Sequence, residues 1–514
     1  MVESGARRWW ITLTVIVASM LELIDTTVVN VSMPQIMGNL GATMEDVSWV
    51  VTAYSIANVI ILPMSGWLAQ RFGRKNYFIT SIIIFTIASF FCGHADNIWQ
   101  LVGYRFIQGL AGGGLLTMAQ STLIETWPKE QMGMATALFG LGVVVAPTMG
   151  PTLGGWITDN MSWPWVFYIN IPIGIIAVIM SMNFLRLNTK NLRAKVDWLG
   201  IMLLAISIGS LQTVLERGET EDWFDTTYIT VLAFTAVIGL VTFIWWEMRI
   251  EHPVVNLRVM RHRSLALGMV TTFILGFGLF GSVFVFPIFC QNLLGFSAQQ
   301  TGSIMIPGGL TTIVMMPLVG MMLRKRFPPQ IMAAIGMLTF FVFTWVLSKS
   351  TLNSGVSDFF VPLIIRGFGL SLLFVPLTTL ALSDVAPQEL PQATGLNNMM
   401  RQLGGSFGIA ILNTLLHLRI GYHRGILISH MSTGNTFFTD KYNAMVHAFQ
   451  AAGKSVEDAT MMAGRLMDIS LIKQSLLLSY MDCFWAVGIF FLFVIPVLFL
   501  QPFKKKTVVL ADAH

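Results

Sequence analysis

The sequence predicts an all-α integral membrane protein with fourteen transmembrane helices. Hydrophobic residues make up 54% of the 514 residues and charged residues only 11%, whereas an ordinary soluble domain carries about 25% charged residues. Fourteen separate apolar runs are long enough for a helix to cross the hydrocarbon core, which takes about 20 residues. A chain of this composition needs lipid as its solvent, so we expect a multi-pass membrane protein.

The apolar runs divide the chain into three parts. Six precede residue 190, two lie between residues 191 and 260, and six follow residue 261. We expect an N-terminal six-helix bundle at 1–190, two inserted linker helices at 191–260 and a C-terminal six-helix bundle at 261–514. The runs cover residues 9–30, 47–69, 77–95, 98–121, 132–157, 164–184, 199–215, 228–247, 264–291, 301–322, 331–348, 359–382, 391–418 and 475–500.

A weak internal repeat indicates that the two bundles are related. The segment GWLAQRFGRK from Gly66 recurs faintly as GMMLRKRF from Gly320, and Arg105 in YRFIQGLAGG has a counterpart at Arg366 in IRGFGLSL. Two parallel repeats are an architecture of membrane transporters, in which the substrate binds between the two halves.

The positive charges predict an orientation. Most of the 31 Lys and Arg residues lie in connections on the same side as the N-terminus, among them Arg71, Arg74 and Arg324. Because positively charged loops stay in the cytoplasm, we expect both termini to be cytoplasmic and the chain to lie in the cell inner membrane. The first run is too long for a signal peptide and lacks a small-residue cleavage site, so it should remain as a helix.

Several other functions are not expected. The net charge of +5 is scattered over short loops, which does not favour nucleic-acid binding. Cys92, Cys290 and Cys483 lie inside apolar runs, so no disulfide framework is expected. The eight histidines have no metal-ligand spacing, and the spans contain no nucleophile–base pair and no G-x-x-x-x-G-K-[ST] loop. We expect no metal, no cofactor, no drive by ATP and no enzymatic activity.

Charged side chains inside the spans are candidates for proton coupling. A charge in the hydrocarbon costs about 2.5–3.5 kcal/mol on insertion scales, so it needs a reason. Glu22 and Asp25 are three residues apart, which places both carboxylates on one helix face. Asp25 lies about 8 Å and Arg105 about 10 Å from the outer ends of their helices, so the two can share a depth. The alternatives are a proton-coupling site and a permanent structural ion pair.

The candidates for substrate binding are Glu22, Asp25, Arg401 and apolar residues of the central helices. Arg401 in NNMMRQLGGSFG is either an anchor for a carboxylate or other polar group of a substrate, or a structural arginine bonded to backbone carbonyls; for Arg366 we favour a structural role. A cavity rich in Met and Phe with a few carboxylates suits lipophilic, often cationic compounds. The aromatic candidates are Phe139, Phe277, Phe280, Phe284 and Phe374.

Two glycine-containing segments are candidates for gating. In GLGVVVAPTMGPTLGG, small residues permit close helix packing and prolines free backbone carbonyls, so this helix can bend and seal against the other half. In the connection after the second span, Arg71, Gly73 and Arg74 can close the cytoplasmic side by pairing with the other half. The alternatives are ordinary packing and simple anchoring by positive charge. The first segment contains Gly140, Pro147, Gly150, Pro151, Gly154 and Gly155.

These motifs resemble those of the fourteen-helix drug:proton antiporters of the major facilitator superfamily, and most closely the EmrB-type multidrug efflux pumps. The resemblance covers nearly the whole chain, with one departure at Gln70, where the family usually has an aspartate. It implies the major facilitator fold, with two six-helix bundles plus two inserted helices, and alternating access driven by the proton motive force. The segments that carry it are Leu23–Pro34, Gly66–Lys75, Arg105–Gly113, Gly140–Gly155 and WVFYINIPIG at Trp165–Gly174.

The resemblance also implies partners and a role. Pumps of this type export lipophilic drug-like molecules, confer antibiotic resistance, and work with a periplasmic EmrA-type adaptor and a TolC-type outer-membrane channel. Residues 419–473 form the longest predicted loop, on the outer side, where a capping box at Ser455–Asp458 precedes an amphipathic helical pattern. This segment either docks the adaptor or rests on the protein's own surface or on the membrane.

Two other functions stay open. One is transport, as export or import, of a single defined metabolite, which a substrate panel would separate from multidrug efflux. The other is a membrane-embedded enzyme or receptor-like binding protein, which the absence of catalytic motifs in the sequence disfavours.

Overall fold

The computed structural model describes residues 3, 5–186, 196–432 and 434–500, without the side chains of residues 148, 151, 159 and 298. Every regular element in these ranges is a helix, as the sequence predicts. The N-terminal helices are α1 (Gly5–Leu40), α2 (Met44–Phe72), α3 (Arg74–Gly93), α4 (Ile98–Thr126), α5 (Met132–Asn160), α6 (Trp165–Tyr168) and α7 (Asn170–Phe184).

The following helices continue the same pattern. Short 3₁₀ turns lie in several connections, and a π-helical turn at Phe289–Leu293 follows α10. The helices are α8 (Trp198–Arg217), α9 (Thr227–Arg249), α10 (Arg263–Ile288), α11 (Ala298–Arg324), α12 (Pro329–Leu347), α13 (Phe360–Leu382), α14 (Leu390–Ser429), α15 (Thr436–Ala451) and α16 (Val456–Phe499).

The fourteen predicted spans all coincide with helices. By length and composition, 13 helical stretches of the described chain can cross a membrane, with α6 and α7 counted as one stretch. The one predicted span that is not among these 13 is the fourth, α4. It has 29 residues but is less apolar because it contains Arg105, Gln108 and several glycines. These residues are buried against neighbouring helices, so α4 has the length of a span and a polar interior face.

The helices pack in the groups that the repeat predicts. Helices α1–α5 and α7 contact one another, α10–α14 and α16 contact one another, and α8 packs against α9 and α2. The first two groups, here called the N bundle and the C bundle, touch mainly through α5 with α11 and α2 with α14. The division at residues 191–260 stays a prediction, because its first boundary falls within residues 187–195, outside the described chain.

We call the side of the molecule that holds the α2–α3 connection at Gly73 the inner face, and the opposite side the outer face. The names follow the predicted orientation. At the inner face the bundles are in close contact: a Cβ added to Gly66 of α2 would lie 2.6 Å from Cγ of Gln392 of α14, and one added to Gly133 of α5 would lie 3.0 Å from Cβ of Leu323 of α11. The bundles therefore meet tightly there.

The predicted long loop at 419–473 is mostly helical, which corrects the sequence-based prediction. Helix α14 continues to Ser429, α15 follows, and α16 begins at Val456, capped by the Ser455 side chain, which accepts a hydrogen bond from the Asp458 N–H at 3.1 Å. The predicted cap at Ser455 is confirmed, whereas the Asp458 side chain accepts from the Ser455 hydroxyl at 2.8 Å, and the reciprocal bond of a capping box to the Ser455 N–H is not among the described bonds. Hydropathy marks where an apolar run ends, but polar pairs such as His423–Asp482 at 2.8 Å hold the helices together beyond that point.

Candidate functional site

A buried ion pair joins α1 and α4. Nη1 of Arg105 lies 2.5 Å from Oδ2 of Asp25, and neither side chain has exposed surface. The other carboxylate oxygen, Oδ1, accepts hydrogen bonds from Nδ2 of Asn170 at 2.7 Å and from Nε2 of Gln108 at 3.1 Å. The expectation that Asp25 and Arg105 share a depth is confirmed, and each oxygen of the carboxylate has a partner.

Helices α2 and α3 complete the surroundings of the pair. Nε of Arg105 donates to the backbone oxygen of Val50 at 3.3 Å, and its guanidinium lies 4.1 Å over the Tyr54 ring. Gln108 accepts from Nη1 of Arg105 at 2.6 Å and donates to Ser89 Oγ at 2.7 Å. Gln108, Ser89 and Asn170 were not among the site residues predicted from the sequence. The available signal for Gln108 was its spacing of three residues from Arg105, which places both on one helix face.

Glu22 lies one turn inward from Asp25 on the same face of α1. Its side chain is buried, and Oε1 accepts a hydrogen bond from Nδ2 of Asn58 at 2.8 Å, whereas Oε2 has no partner in the described structure. Arg401 of α14 is close enough to act electrostatically on Glu22, although the two form no ion pair within 4 Å. Glu22 is therefore bonded to α2 and lies within electrostatic reach of the C bundle, whereas the described partners of Asp25 all belong to the N bundle.

Several buried polar atoms without partners in the described chain lie on α4, α5, α13 and α14, helices through which the bundles touch, and on α1. Nη1 of Arg401 has none, and its guanidinium lies 5.6 Å over the Phe374 ring. Because buried polar groups normally have hydrogen-bond partners, such a group of side chains is suited to hold a ligand or water. We call seven residues of α1, α4, α5, α13 and α14 that have such atoms the central polar cluster: Glu22, Gln120, Thr136, Thr378, Asn397, Asn398 and Arg401.

The predicted aromatic residues lie in different places. Phe139 of α5 is buried, with its ring centroid 6.3 Å from that of Phe374 of α13, so it lies at the contact between the bundles beside Arg401. Phe277 of α10 instead contacts Phe490 of α16, at 4.5 Å between centroids, within the C bundle. The structure brings Phe139 to the central polar cluster and places Phe277 away from that contact.

The glycines of α5 face two different neighbours. A Cβ at Gly140 would lie 2.7 Å from Cδ1 of Phe374, across the contact between the bundles. A Cβ at Gly150 would overlap Oγ1 of Thr27, and one at Gly154 would lie 2.8 Å from the backbone oxygen of Val28. Gly150 and Gly154 thus pack against α1 of the same bundle, which differs from the expectation that the motif seals against the other half.

The remaining residues of this motif add less. Pro147 and Gly155 are buried in α5, whereas the side chain of Pro151 is outside the described part of the structure. Within this motif, the close helix packing is made at Gly140, Gly150 and Gly154.

The contacts described for Arg74 and Lys75 of the α2–α3 connection lie within the N bundle. Arg74 forms an ion pair with Glu125 of α4, and Nζ of Lys75 donates to the backbone oxygen of Met182 of α7. Arg71 lies over the Trp67 ring. Gly73 has φ +82°, a conformation that favours glycine because it lacks Cβ. The sequence led us to expect that Arg74 pairs with the other half. Its described ion pair instead lies inside the N bundle.

A surface groove of about 530 Å³ lies apart from these residues. It is formed by α11, α12 and α13 and lined by apolar side chains such as Leu310, Val314 and Ile364, all three exposed. Such a groove on the outside of a bundle suits a lipid chain. It is not the meeting point of the polar groups described above.

The fold and these sites define a polytopic membrane transporter. Two helical bundles meet around buried polar groups that have no partners in the described structure, and no group of three or more His, Cys, Asp or Glu residues in the described chain is placed to hold a metal. A family model described as the Major Facilitator Superfamily matches residues 15–409. The chain belongs to the major facilitator superfamily.

Relatives match almost the whole length. The chain is 32% identical over 502 residues to the multidrug export protein EmrB of Escherichia coli K12, covering 97% of this chain and 96% of that protein. It is 33% identical over 501 residues to the fatty acid resistance protein FarB of Neisseria gonorrhoeae, covering 96% of each. The resemblance to EmrB-type proteins is confirmed.

A solved structure supports the fold alone. The human organic anion transporter MFSD10 (TETRAN) aligns with a TM-score of 0.60 at 12% sequence identity, covering 96% of this chain and 100% of that chain.

Proposed function

We propose that this protein exports lipophilic drug-like compounds across the inner membrane in exchange for protons, by alternating access. The single observation that carries the proposal is the Asp25–Arg105 ion pair, which is completely buried between spanning helices. A charge in this position is costly unless it has a function or a permanent partner. Export of drugs is supported by the similarity to the EmrB multidrug export protein.

The exchange works through the partners of Asp25. A proton that binds Asp25 removes its charge and weakens its attraction to Arg105, so that α1 and α4 are free to shift. Release of the proton restores the pair and the bonds from Gln108 and Asn170. Asp25 lies on α1, the helix that also carries Glu22. A shift of α1 that follows a change at Asp25 is therefore transmitted to the contact between the bundles.

The substrate binds at the central polar cluster. Glu22 supplies a carboxylate that attracts a cationic group, and Arg401 supplies a guanidinium for a carboxylate or other polar group. Phe139 and Phe374 line the same contact and suit an apolar ring system. The polar atoms without partners in the described structure are the groups that a substrate's polar atoms would satisfy.

We further propose that both termini are cytoplasmic and that the protein works with an EmrA-type periplasmic adaptor and a TolC-type outer-membrane channel. The support is the resemblance to EmrB-type pumps together with a helical extension at the outer face. This outer extension consists of α14 beyond residue 418, α15, and α16 before residue 475. It exposes apolar side chains, among them Phe437, Met461 and Ile469, on which an adaptor can dock.

A transporter of one defined metabolite is the alternative. The number of amide and hydroxyl groups in the central polar cluster favours it, because a site that satisfies many specific hydrogen bonds rejects compounds that lack them. The similarity to a fatty acid resistance protein makes amphiphilic acids a suitable class for comparison. A panel of cationic, neutral and acidic lipophilic compounds tests breadth: export of one class alone favours the alternative.

The test of proton coupling is Asp25→Asn, which keeps the size of the side chain and removes its titration. In proteoliposomes with matched protein levels, we expect gradient-driven efflux and substrate-driven proton release to fall by at least about tenfold, equivalent to about 1.4 kcal/mol. Substrate binding should survive, because the new amide side chain would still fill the site. Asp440→Asn is the control, since Asp440 is exposed on α15. Native coupling in Asp25→Asn would show that the ion pair is structural.

A further inference from the structure

The inserted helix α8 is bonded to both bundles near the outer face. Nε2 of Gln212 donates to Oγ of Ser406 of α14 at 2.7 Å. Beyond the end of α8, Glu219 pairs with His417 of α14 at 3.0 Å, and Nε1 of Trp223 donates to Thr414 of α14 at 3.1 Å. Several polar contacts therefore connect the insertion to α14 of the C bundle.

Glu216 of α8 lies between these contacts and the N bundle. Its Oε1 accepts a hydrogen bond from Nε2 of Gln212 at 2.8 Å, and its Oε2 accepts one from Oγ1 of Thr52 of α2 at 3.4 Å. The side chain is half-buried, and no ion pair involves it in the described chain. The same Gln212 nitrogen thus joins the Glu216 carboxylate to Ser406, so α2, α8 and α14 are connected through a single carboxylate.

Glu216 lies at nearly the same level as the Asp25–Arg105 pair, on another side of α2. Arg105 donates to the backbone oxygen of Val50, whereas Thr52, two residues further on, donates to Glu216. Two residues advance a helix by about 3 Å and turn it by about 200°. A short stretch of α2 therefore separates two carboxylates, one in the N bundle and one on the insertion.

We propose that Glu216 is a second proton-binding site, contributed by the inserted helices, and that its protonation releases the link from α2 through α8 to α14. The inference rests on the proposed proton-coupled transport, to which it adds a group outside the two bundles. The ligand of the site is a proton.

The hydrogen-bond pattern gives the reason. Gln212 and Thr52 both donate to the Glu216 carboxylate, which also has a side-chain hydrogen bond with Ser55 of α2, and an ionised carboxylate accepts at both oxygens. A proton on Oε2 requires only that the Thr52 hydroxyl reverse and accept, whereas a proton on Oε1 faces the Gln212 N–H, so that bond must break or the amide must turn. If the Gln212 amide turns to accept with its own Oε1, which has no partner in the described structure, its nitrogen leaves Ser406, whose own hydroxyl proton bonds to the Gln402 carbonyl at 3.3 Å, and the link to α14 is lost.

Other charged groups near the outer ends of the neighbouring helices are engaged elsewhere or exposed. Arg217, next to Glu216, directs its guanidinium to Ser48 and to Glu221, the latter at 2.8 Å. The charged residues of α9, Glu247 and Arg249, lie at its inner end, and Arg401 of α14 lies further inward. The other charged or titratable groups of these elements towards the outer face are Glu45, Asp46 and Tyr54 of α2, Tyr228 of α9, Glu219, Asp222 and Asp225 of the α8–α9 connection, and His417, Arg419, Tyr422, His423 and Arg424 of α14.

The experiment measures the distance between α2 and α14 at the outer face. Spin labels are attached at Met44→Cys and Leu418→Cys, which replace residues 63% and 68% exposed, whereas the native cysteines are buried. We expect a second, longer distance population when the pH falls from about 8 to about 4, a range that includes the ordinary pKa of a glutamate side chain, about 4.3. Glu216→Gln mimics the protonated form and should show the longer population at both pH values.

Two further variants complete the test. Ser406→Ala keeps the carboxylate but removes the link to α14, so it should also show the longer population at both pH values; it takes the place of Glu216→Gln if that variant does not fold. Asp225→Asn, which alters an exposed carboxylate of the same insertion, should respond like the native protein. A native pH response in Glu216→Gln, or in Ser406→Ala when it stands in, overturns the proposal.

The distance measurement needs neither substrate nor gradient. Failure of this inference is therefore distinguishable from failure of the proposed function, which the efflux assay on Asp25→Asn tests separately.

Discussion

At the scale of single residues, the Asp25 carboxylate of α1 is held by a network of contacts from three other helices of the N bundle. Asp25 of α1 is bonded to Arg105 and Gln108 of α4 and to Asn170 of α7, while Ser89 of α3 fixes Gln108. Depth along two apolar helices was enough to predict the pair. Gln108, Asn170 and Ser89 were missed because neutral polar residues are common in spans, and only the fold determines which of them face one another.

Asn170 provides a test of the hydrogen bonds around Asp25, because it is a neutral residue that donates to the carboxylate. Asn170→Ala deletes a hydrogen bond to Oδ1 of Asp25 and leaves that oxygen with Gln108 alone among the contacts described. We expect gradient-driven efflux to fall by about tenfold, about 1.4 kcal/mol, and substrate affinity in the absence of a gradient to stay unchanged. The comparison is transport rate against binding in the same preparation.

Asn183→Ala is the matched control for that variant. Asn183 lies on the same helix and is exposed, with its amide bonded only to the Ile179 carbonyl of its own helix among the contacts described. Equal effects of the two substitutions would mean that the loss at Asn170 reflects the stability of α7 and not the network around Asp25.

At the scale of helices, α5 connects the two bundles by using different glycines on different sides. Gly140 admits the Phe374 ring from the C bundle, whereas Gly150 and Gly154 admit α1. A glycine-rich motif predicts close packing from its spacing, but spacing does not say which helix is the neighbour. The neighbour depends on how α5 is rotated in the fold, which is why the sequence-based expectation was right about packing and incomplete about partners.

Gly150→Ala tests the contact between α5 and α1. An added Cβ would overlap Oγ1 of Thr27, so one of the helices must shift, and overpacking of this kind typically costs about 1–3 kcal/mol. We expect a lower melting temperature in detergent and reduced efflux. Gly103→Ala on α4 is the control, because a Cβ there meets nothing within 4 Å in the described structure. Equal melting temperatures for both variants would refute tight packing at Gly150.

The long helices α14 and α16 show a second limit of sequence reading. Their apolar parts were located correctly, but α14 runs to Ser429 and α16 starts at Val456. At 1.5 Å per residue, the 40 residues of α14 span about 60 Å, roughly twice the hydrocarbon thickness. Hydropathy detects the apolar part of such a helix but does not predict its polar continuation. Polar pairs between the two helices help to stabilise that continuation.

At the scale of the whole molecule, the two bundles meet at the inner face through small residues. Gly66 of α2 lies against Gln392, and Gly395 of α14 lies against the backbone oxygen of Leu62. Gly133 of α5 lies against Leu323 of α11 in the same way. Side chains packed this closely cannot separate one at a time. Transport by alternating access therefore requires the inner face to open between α2 and α14 and between α5 and α11 together.

A reversible cross-link tests whether the inner face must open. In Gly133→Cys combined with Leu323→Cys, the two Cβ positions lie 3.0 Å apart and need to separate by only a few tenths of an ångström to suit a disulfide, whose Cβ atoms are about 3.5–4.5 Å apart. The native cysteines are buried in the described structure and should not compete. We expect oxidation to join the bundles and stop efflux in proteoliposomes, and reduction to restore it. Each single variant should be insensitive to oxidant, which separates cross-linking from damage by the reagent. Undiminished efflux by fully cross-linked protein would mean that α5 and α11 stay together during transport, and the opening would then have to lie between α2 and α14 alone.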